Sequence, residues 1–162
     1  MQTDSQVSGR IQSSLALDGG KPVRDSWLPY GHQLIDQADI TAVTEALKSD
    51  FLTQGPRIKQ FEDSVAKASS VKYAVAIANG TAALHAAYYS AGITSGDLII
   101  TAPITFAATS NAALYLGAKP LFADVEPTTG LIDVDSVARL LKSAEGKKVK
   151  AIVGIDFAGQ PC

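Results

Sequence analysis

The fold of this chain is indicated by residues 72–125, which read KYAVAIANGTAALHAAYYSAGITSGDLIITAPITFAATSNAALYLGAKPLFADV. Short apolar runs alternate here with Ala-rich helical segments that end at glycines. Four apolar runs are found along the chain, at residues 72–78, 97–101, 119–125 and 150–155. Because the apolar residues of each run are consecutive rather than alternating with polar ones, we predict four strands that are buried on both faces. Strands separated by helices predict an α/β fold, with a mostly parallel sheet and helices on both faces.

Three regions are expected along the chain. Residues 1–14 are polar and show no periodicity, so we expect a disordered tail. Residues 15–70 combine a loop rich in Gly and Pro with two helices, the first capped by Asp36 and the second starting near Pro56. Residues 71–162 hold the predicted sheet and form an incomplete α/β domain.

Composition and charge exclude several classes of protein. The 162 residues are 46% hydrophobic, which is enough to bury a core and argues against general disorder. A net charge of −2 leaves no positive excess for binding nucleic acid, and the one cysteine excludes a disulfide framework. No apolar run approaches the ~18–20 residues that span a bilayer. The N-terminus also lacks the apolar core of a signal peptide, so we expect a cytoplasmic protein with no membrane partner.

A candidate phosphate site lies where the first predicted strand meets the next helix, at Asn79, Gly80 and Thr81. Gly80 lacks a Cβ, so its backbone N–H can come close to a ligand. Thr81 adds a hydroxyl at the helix start, where free N–H groups and the helix dipole favour an anion. The same residues also fit an ordinary helix cap. The fingerprints GxGxxG and GxxxxGK[ST] are absent, which argues against dinucleotide dehydrogenases and nucleotide kinases.

Two more candidates follow later strands, at the edge of the sheet where α/β proteins bind ligands. Phe106 follows the second predicted strand, where its ring can lie on a flat heterocycle, and a place in the core is the alternative. Asp156 follows the fourth predicted strand. For Asp156, a role toward a ligand and a role in the turn before Gly159 are both open.

A metal site is not expected. The two histidines, His32 and His85, have no acidic or cysteine partner at ligand spacing, and they form no Ser-His-Asp or Cys-His arrangement. Asp124, Asp133 and Asp135 cluster around a turn, where Asp133 or Asp135 is expected to cap the helix that follows.

The order of these segments resembles the DegT/DnrJ/EryC1/StrS family of pyridoxal-phosphate (PLP) sugar aminotransferases. The similar stretches are LALDGGKPVR, LTQGP, FEDSVAKASSVKYAVAIANGTAALHAAYYSAGI, GDLIITAPITFAATSNAALYLGAKPLFADVEPTTGLIDVDSV and KAIVGIDFAGQPC. Within the family, LPYGHQ, SDFLTQGP and FAGQPC are similar to the pseudaminic-acid branch. Its members transfer an amino group from glutamate to C4 of a UDP-linked 4-keto-6-deoxy-N-acetylhexosamine. The resemblance implies the N-terminal part of a fold-type-I PLP-transferase large domain.

The resemblance also implies roles for the candidate residues. Gly80 and Thr81 are expected to hold the phosphate of PLP, with Asn79 standing where the family commonly has Ser. Phe106 is expected to stack on the pyridine ring. Asp156 stands where relatives often carry His or Asp, and it is carried over as a cofactor-binding residue.

Substrate binding is assigned by the same resemblance to the region before the second helix. The residues that correspond to family segments near the sugar nucleotide are Tyr30, Asp50, Phe51, Leu52 and Thr53. In the family these segments often act across a dimer interface. The implied partners are therefore a UDP-sugar, an amino-acid donor and a second copy of the full-length protein.

No catalytic residue is assigned within this chain. In the family, the Asp that pairs with the pyridine nitrogen and the Lys that forms the Schiff base both follow the FAGQPC stretch, beyond Cys162. We therefore expect a fragment that does not transfer amino groups by itself. The alternatives are a non-catalytic remnant that binds a nucleotide sugar or a partner subunit, and a fragment of a PLP-dependent sugar dehydratase.

Overall fold

A computed structural model describes residues 15–143 and 145–162. The tail expected at residues 1–14 lies outside the described residues. The chain divides into two compact units, one ending at Thr53 and the other beginning at Gln54, and each is considered by itself.

The described residues of the first unit contain one α-helix, α1 (Gln37–Leu47), which begins at the cap that the sequence predicts. The Asp36 carboxylate accepts hydrogen bonds from the N–H groups of Ala38 and Asp39, at 2.8 and 3.1 Å. The Asp39 carboxylate accepts one from the N–H of Asp36 in return, at 2.9 Å. These bonds satisfy donors that a helix start otherwise leaves free. A short 3₁₀ turn, Ala16–Asp18, precedes this helix in the chain.

The second unit is built around a three-stranded parallel sheet. Its strands are β1 (Leu98–Thr101), β2 (Lys119–Phe122) and β3 (Val149–Val153). Their order is β2-β1-β3, so the connection from β2 to β3 crosses β1. Leu98 pairs with Lys119, and Thr101 pairs with both Phe122 and Val153.

The described α-helices of the second unit are α2 (Pro56–Ala68), α3 (Gly80–Ser90), α4 (Ala108–Tyr115) and α5 (Val134–Lys142). Clusters of buried residues place α3 and α4 on one face of the sheet and α5 on the other. Ile99 packs in a cluster with Tyr88 of α3 and Ala112 of α4. Ile100, which points to the opposite face of β1, packs against Val137 of α5 instead. The predicted α/β fold is therefore confirmed, with β1 at its centre.

One predicted strand is wrong. Residues 72–78 belong to no strand of the described sheet, and the side chains of Tyr73 and Val75 are 74% and 76% exposed. The N–H of Ala76 donates to the Glu62 carboxylate of α2, at 2.9 Å, instead of to a neighbouring strand. An apolar run predicts an extended chain, but a strand also needs a partner with free N–H and C=O groups.

The segments between these elements are ordered by side-chain hydrogen bonds. Asp133 caps α5 by accepting from the N–H of Asp135 at 2.9 Å, as predicted. Before β1, the Asp97 carboxylate accepts from the N–H and the hydroxyl of Thr94, at 2.9 and 3.0 Å. These bonds, above all the one from the backbone N–H of Thr94, hold the pKa of Asp97 below its usual range.

No helix among the described residues is long and apolar enough to cross a membrane.

A buried hydrogen bond between α3 and α4 generates a test of this packing. The Tyr88 hydroxyl donates to the carbonyl of Thr109 at 2.9 Å, and its side chain is 5% exposed. We expect Tyr88→Phe to lower the free energy of unfolding by about 1 kcal/mol, because this bond is lost. Urea titration at neutral pH measures the loss. The exposed neighbour Tyr89 provides the control, and Tyr89→Phe is expected to leave stability unchanged.

The same tyrosine makes stability depend on pH. Burial raises the pKa of Tyr88 in the folded chain. The folded state then keeps a proton that the unfolded state loses near pH ~10, so stability falls as the pH rises through the folded pKa. Tyr88→Phe is expected to remove this part of the alkaline loss. An unchanged alkaline loss in that variant contradicts the assignment.

Candidate functional site

The start of α3 leaves backbone donors free. Asn79 has extended backbone geometry, and its side-chain oxygen accepts from the N–H of Ala82 at 2.9 Å. Its own carbonyl accepts from the N–H of Ala83 at 3.0 Å. No described residue accepts a hydrogen bond from the N–H groups of Gly80 and Thr81. Asn79 therefore caps the helix and leaves two donors for a ligand.

Open space lies beside Gly80, where a Cβ would stand. A Cβ added to Gly80 would meet no atom within 4 Å, and the φ angle of Gly80 is not positive. Neither a left-handed turn nor tight packing therefore explains why this residue is a glycine. Free N–H groups, the helix dipole and a half-buried Thr81 suit an anion such as a phosphate. The residues present thus fit the phosphate of PLP, and the cap and the phosphate site are compatible with each other.

Phe106 is exposed, which removes the alternative that it lies in the core. Its side chain is 79% exposed, and it follows the carboxyl end of the central strand β1 by five residues. Its carbonyl accepts from the N–H of Thr109 at 3.0 Å, and the hydroxyls of Thr105 and Thr109 are 2.9 Å apart. The segment that carries the ring is therefore tied to the start of α4. An exposed aromatic face held in this way can stack on a flat heterocycle.

Asp156 closes a loop after β3. Its carboxylate accepts from the N–H of Cys162 at 3.0 Å, and a short 3₁₀ turn, Phe157–Gly159, follows it. This bond fits the turn-forming role that the sequence left open. The Asp156 side chain is nevertheless exposed, and its role toward a cofactor stays a prediction.

Pairing between β1 and β3 brings the loops of Phe106 and Asp156 to one edge of the sheet. Thr101 and Val153 are register partners, and the Thr101 hydroxyl donates to the carbonyl of Val153 at 3.0 Å. Both loops leave from this end of their strands. The helix that begins at Asn79 packs beside α4 through the bond between Tyr88 and Thr109. The predicted cofactor residues are thus carried by elements of one packed unit.

The predicted substrate residues all lie in the first unit. Tyr30 is fully exposed, and the side chains of Phe51 and Leu52 are 65% and 69% exposed. Asp50 and Thr53 are exposed as well. The carbonyl of Phe51 accepts a hydrogen bond from the hydroxyl of Ser49 at 3.2 Å. Exposure is compatible with ligand binding, and the assignment to a sugar nucleotide stays a prediction.

Two contacts in the second unit are not predicted from the sequence. Phe157 lies against Gly130, where an added Cβ would come within 3.1 Å of its ring, so the turn after β2 supports the loop that carries Asp156. His85 makes an edge-to-face contact with Tyr115, with ring centroids 5.6 Å apart. Both contacts join residues distant in sequence, and no local pattern marks them.

Among the described residues, no group of three or more His, Cys, Asp or Glu side chains could hold a metal ion.

Two substitutions of Asn79 test its role as the cap of α3, one that removes the hydrogen-bond acceptor and one that keeps it but adds a negative charge. Asn79→Ala is expected to lower the free energy of unfolding by about 1 kcal/mol, because the N–H of Ala82 loses its partner. Asn79→Asp is expected to keep the stability within about 0.5 kcal/mol, since Asp and Asn cap equally well. Asp36 and Asp133 already cap α1 and α5 in this chain. Denaturant unfolding compares the variants, and an equal loss in both contradicts the capping role.

Comparison with known proteins assigns this arrangement to a family. The model of the DegT/DnrJ/EryC1/StrS aminotransferase family matches residues 33–162. The spore coat polysaccharide biosynthesis protein SpsC of Bacillus subtilis is 41% identical over 139 residues, which are 86% of this chain and 35% of SpsC. A UDP-4-amino-4,6-dideoxy-N-acetyl-beta-L-altrosamine transaminase of Campylobacter jejuni is 42% identical over 132 residues, which are 82% of this chain and 34% of that enzyme.

Solved structures agree in fold. Helicobacter pylori PseC, an aminotransferase involved in the biosynthesis of pseudoaminic acid, aligns with a TM-score of 0.76 and 36% identity. The alignment covers 83% of this chain and 35% of PseC. The PLP-form of Spr1654 from Streptococcus pneumoniae aligns with a TM-score of 0.77 and 27% identity, over 83% of this chain and 33% of Spr1654. This chain thus spans about a third of the length of these relatives. Aminotransferases of the matching family are PLP-dependent, and this chain belongs to the DegT/DnrJ/EryC1/StrS aminotransferase family.

Proposed function

We propose that this chain forms the part of a PLP-dependent sugar aminotransferase that binds the phosphate and the ring of the cofactor. The observation that carries the proposal is the start of α3. There the N–H groups of Gly80 and Thr81 have no partner among the described residues, and the missing Cβ of Gly80 leaves open space. These are the requirements of a phosphate that must approach the backbone closely.

The helix start supplies most of the attraction for the phosphate. An α-helix carries the equivalent of about half a positive charge at its N-terminus, and α3 is 11 residues long. The Thr81 hydroxyl adds a donor beside the two N–H groups. Asn79 acts indirectly, because its cap fixes the helix start without adding negative charge. A neutral amide suits this position better than a carboxylate, whose negative charge would repel the phosphate.

We propose that the Phe106 side chain stacks on the pyridine ring of the cofactor. Its exposed face follows the central strand, and the hydrogen bond between Phe106 and Thr109 fixes its backbone. Asp156, in the loop after the neighbouring strand, is proposed to face the same cofactor. When bound, PLP supplies an electron sink for charge that develops next to the reacting nitrogen. In this chain, the residues named bind and orient the cofactor.

The proposed reaction of the whole protein is transfer of an amino group, with glutamate as the donor, to C4 of a UDP-linked 4-keto-6-deoxy-N-acetylhexosamine. Support comes from the similarity of this chain to the Campylobacter jejuni transaminase and to PseC. Tyr30 and residues 50–53 are proposed to bind the sugar nucleotide. A homodimer and a cytoplasmic location complete the proposal.

The 162 residues are not proposed to transfer amino groups by themselves. The family resemblance implies that the Schiff-base lysine and the aspartate that pairs with the pyridine nitrogen follow the FAGQPC stretch, so neither role is assigned to one of the ten lysines or to an aspartate of this chain. We therefore propose that the 162 residues bind PLP without transferring amino groups.

Titration with PLP tests the phosphate site in the full 162-residue chain. We expect PLP to bind more tightly than pyridoxal, which lacks the phosphate. Asn79→Asp is expected to weaken PLP binding by about five-fold or more, because a negative charge ~4 Å from the phosphate costs about 1 kcal/mol even in water. Fluorescence or calorimetric titration measures both ligands.

Matched variants separate binding from folding. Gly80→Val is expected to abolish the preference for PLP over pyridoxal, because its side chain would fill the open space. Gly31→Val is the control, since a Cβ at Gly31 also meets no atom within 4 Å and its φ is not positive. Equal affinity for PLP and pyridoxal in the unchanged chain would refute the proposed phosphate site.

The ring assignment has a separate test. Phe106→Leu is expected to weaken PLP binding by about two- to twelve-fold, the equivalent of an aromatic contact worth about 0.5–1.5 kcal/mol. It is expected to leave the affinity for inorganic phosphate unchanged, because only the ring contact is removed. Phe61→Leu, on the exposed side of α2, is the control. Loss of phosphate affinity in Phe106→Leu, or no loss of PLP affinity, contradicts this role.

A further inference from the structure

Thr109 is buried at the point where α3, α4 and the segment of Phe106 meet. It is the second residue of α4, and its side chain is 4% exposed. Its N–H donates to the carbonyl of Phe106 at 3.0 Å, and its carbonyl accepts from the Tyr88 hydroxyl at 2.9 Å. Its hydroxyl lies 2.9 Å from the hydroxyl of Thr105. Thr109 therefore links the segment that carries the Phe106 ring to α3.

The bond from Tyr88 ties Thr109 to the helix that begins at the proposed phosphate site. Tyr88 lies eight residues after Gly80 in α3, which is about 12 Å along the helix axis. Tyr88 also packs against the fully buried Ala112 of α4, and Leu84, about one turn after Gly80, packs against the same cluster. Because the turns of a helix are joined by hydrogen bonds and move together, these contacts fix the direction of the N–H groups at its start.

The hydroxyl contact between Thr105 and Thr109 acts on the segment of the ring. The Phe106 side chain is exposed, so packing does not hold it in place. Its backbone is held instead, because Thr105 and Phe106 are consecutive and each contacts Thr109. Two contacts to one buried residue restrict the backbone directions that an exposed loop otherwise samples. Thr109 thus holds the ring segment on one side and α3 on the other.

We propose that Thr109 is a positioning residue that sets the place of the Phe106 ring relative to the N–H groups of Gly80 and Thr81. The inference rests on the proposed function, in which the ring stacks on the pyridine and the N–H groups bind the phosphate. A ligand that joins a flat ring to a phosphate gains affinity over its separate parts only when both sites are correctly placed. Thr109 is buried, so it acts through the two sites and not by touching the ligand.

A role in packing alone makes the opposite prediction for two substitutions of Thr109. Thr109→Val keeps the shape of the side chain and removes the hydroxyl, whereas Thr109→Ser keeps the hydroxyl and removes a buried methyl group. A packing role makes the loss of the methyl group the more harmful change. A positioning role makes the loss of the hydroxyl the more harmful change for binding the joined ligand, and Thr109→Ser then preserves that binding.

Titration of the full 162-residue chain with a joined ligand and its parts tests the proposal. The probes are pyridoxine 5′-phosphate, pyridoxine and inorganic phosphate, none of which has an aldehyde that reacts with lysine side chains. Backbone amide NMR follows the phosphate site at Gly80 and Thr81 and the ring site at Phe106. In the unchanged chain, the affinity for pyridoxine 5′-phosphate is expected to exceed that for either part by about ten-fold or more.

Thr109→Val is expected to weaken binding of pyridoxine 5′-phosphate by about two- to twelve-fold, the range that one hydrogen bond can supply. Its affinities for pyridoxine and for inorganic phosphate are expected to stay unchanged, because a separate part can follow its own site. Thr105→Val is expected to reproduce this loss. The double variant is expected to lose no more than either single one, because the two hydroxyls share one contact.

A matched control removes a buried hydroxyl elsewhere. The Ser136 hydroxyl of α5 accepts from the N–H of Asp124 at 2.9 Å, on the opposite face of the sheet from Thr109. Ser136→Ala is expected to lower stability and to leave the affinity for pyridoxine 5′-phosphate unchanged. Amide spectra of the ligand-free variants, unchanged away from the substituted residue, check that each variant folds.

Two results would overturn the inference and leave the proposed function standing. The first is an unchanged affinity for pyridoxine 5′-phosphate in both Thr109→Val and Thr105→Val. The second is a larger loss in Thr109→Ser than in Thr109→Val, which would identify a packing role. A different result, the absence of saturable shifts at Gly80 and Thr81 with inorganic phosphate in the unchanged chain, would refute the phosphate site and the inference with it.

Discussion

Burial of β1 on both faces is the constraint on which the second unit depends. Ile99 and Ile100 are both 0% exposed, and they contact helices on opposite sides of the sheet. Full burial of each side chain is worth about 1.5–3 kcal/mol. Thr101, also fully buried, keeps its hydroxyl satisfied by donating to the carbonyl of Val153. The central strand therefore fixes where α3, α4, α5 and the neighbouring strands can lie.

Strand direction also decides which side chains lie at each edge of the sheet. Parallel strands put all carboxyl ends together, so the exposed Phe106 and the loop of Asp156 meet at one edge. The same rule collects Lys119 and Lys148 at the opposite edge, beside the start of β1. Side chains far apart in sequence therefore become neighbours, because their strands run in parallel.

The caps and glycines show how local chemistry prepares the site. Asp36, Asn79 and Asp133 each begin a helix by accepting from backbone N–H groups near its start. Only Asn79 does so with a neutral side chain and with an unobstructed glycine as the next residue. A carboxylate at this position would cap the helix equally well but would repel a phosphate. For the proposed phosphate site, the difference between Asn and Asp therefore matters at the start of α3 and does not at the starts of α1 and α5.

The sequence by itself determined the α/β class, the helix starts and the candidate residues at Asn79–Thr81, Phe106 and Asp156, because caps, glycines and apolar runs act locally. It did not determine which runs pair. Residues 72–78 form a mostly apolar run, yet the Glu62 carboxylate accepts a hydrogen bond from the N–H of Ala76, and no strand of the described sheet pairs with this run. Tertiary structure alone decided that Phe106 is exposed and that Phe157 rests on Gly130. Burial and pairing depend on neighbours distant in the chain, which a local pattern does not contain.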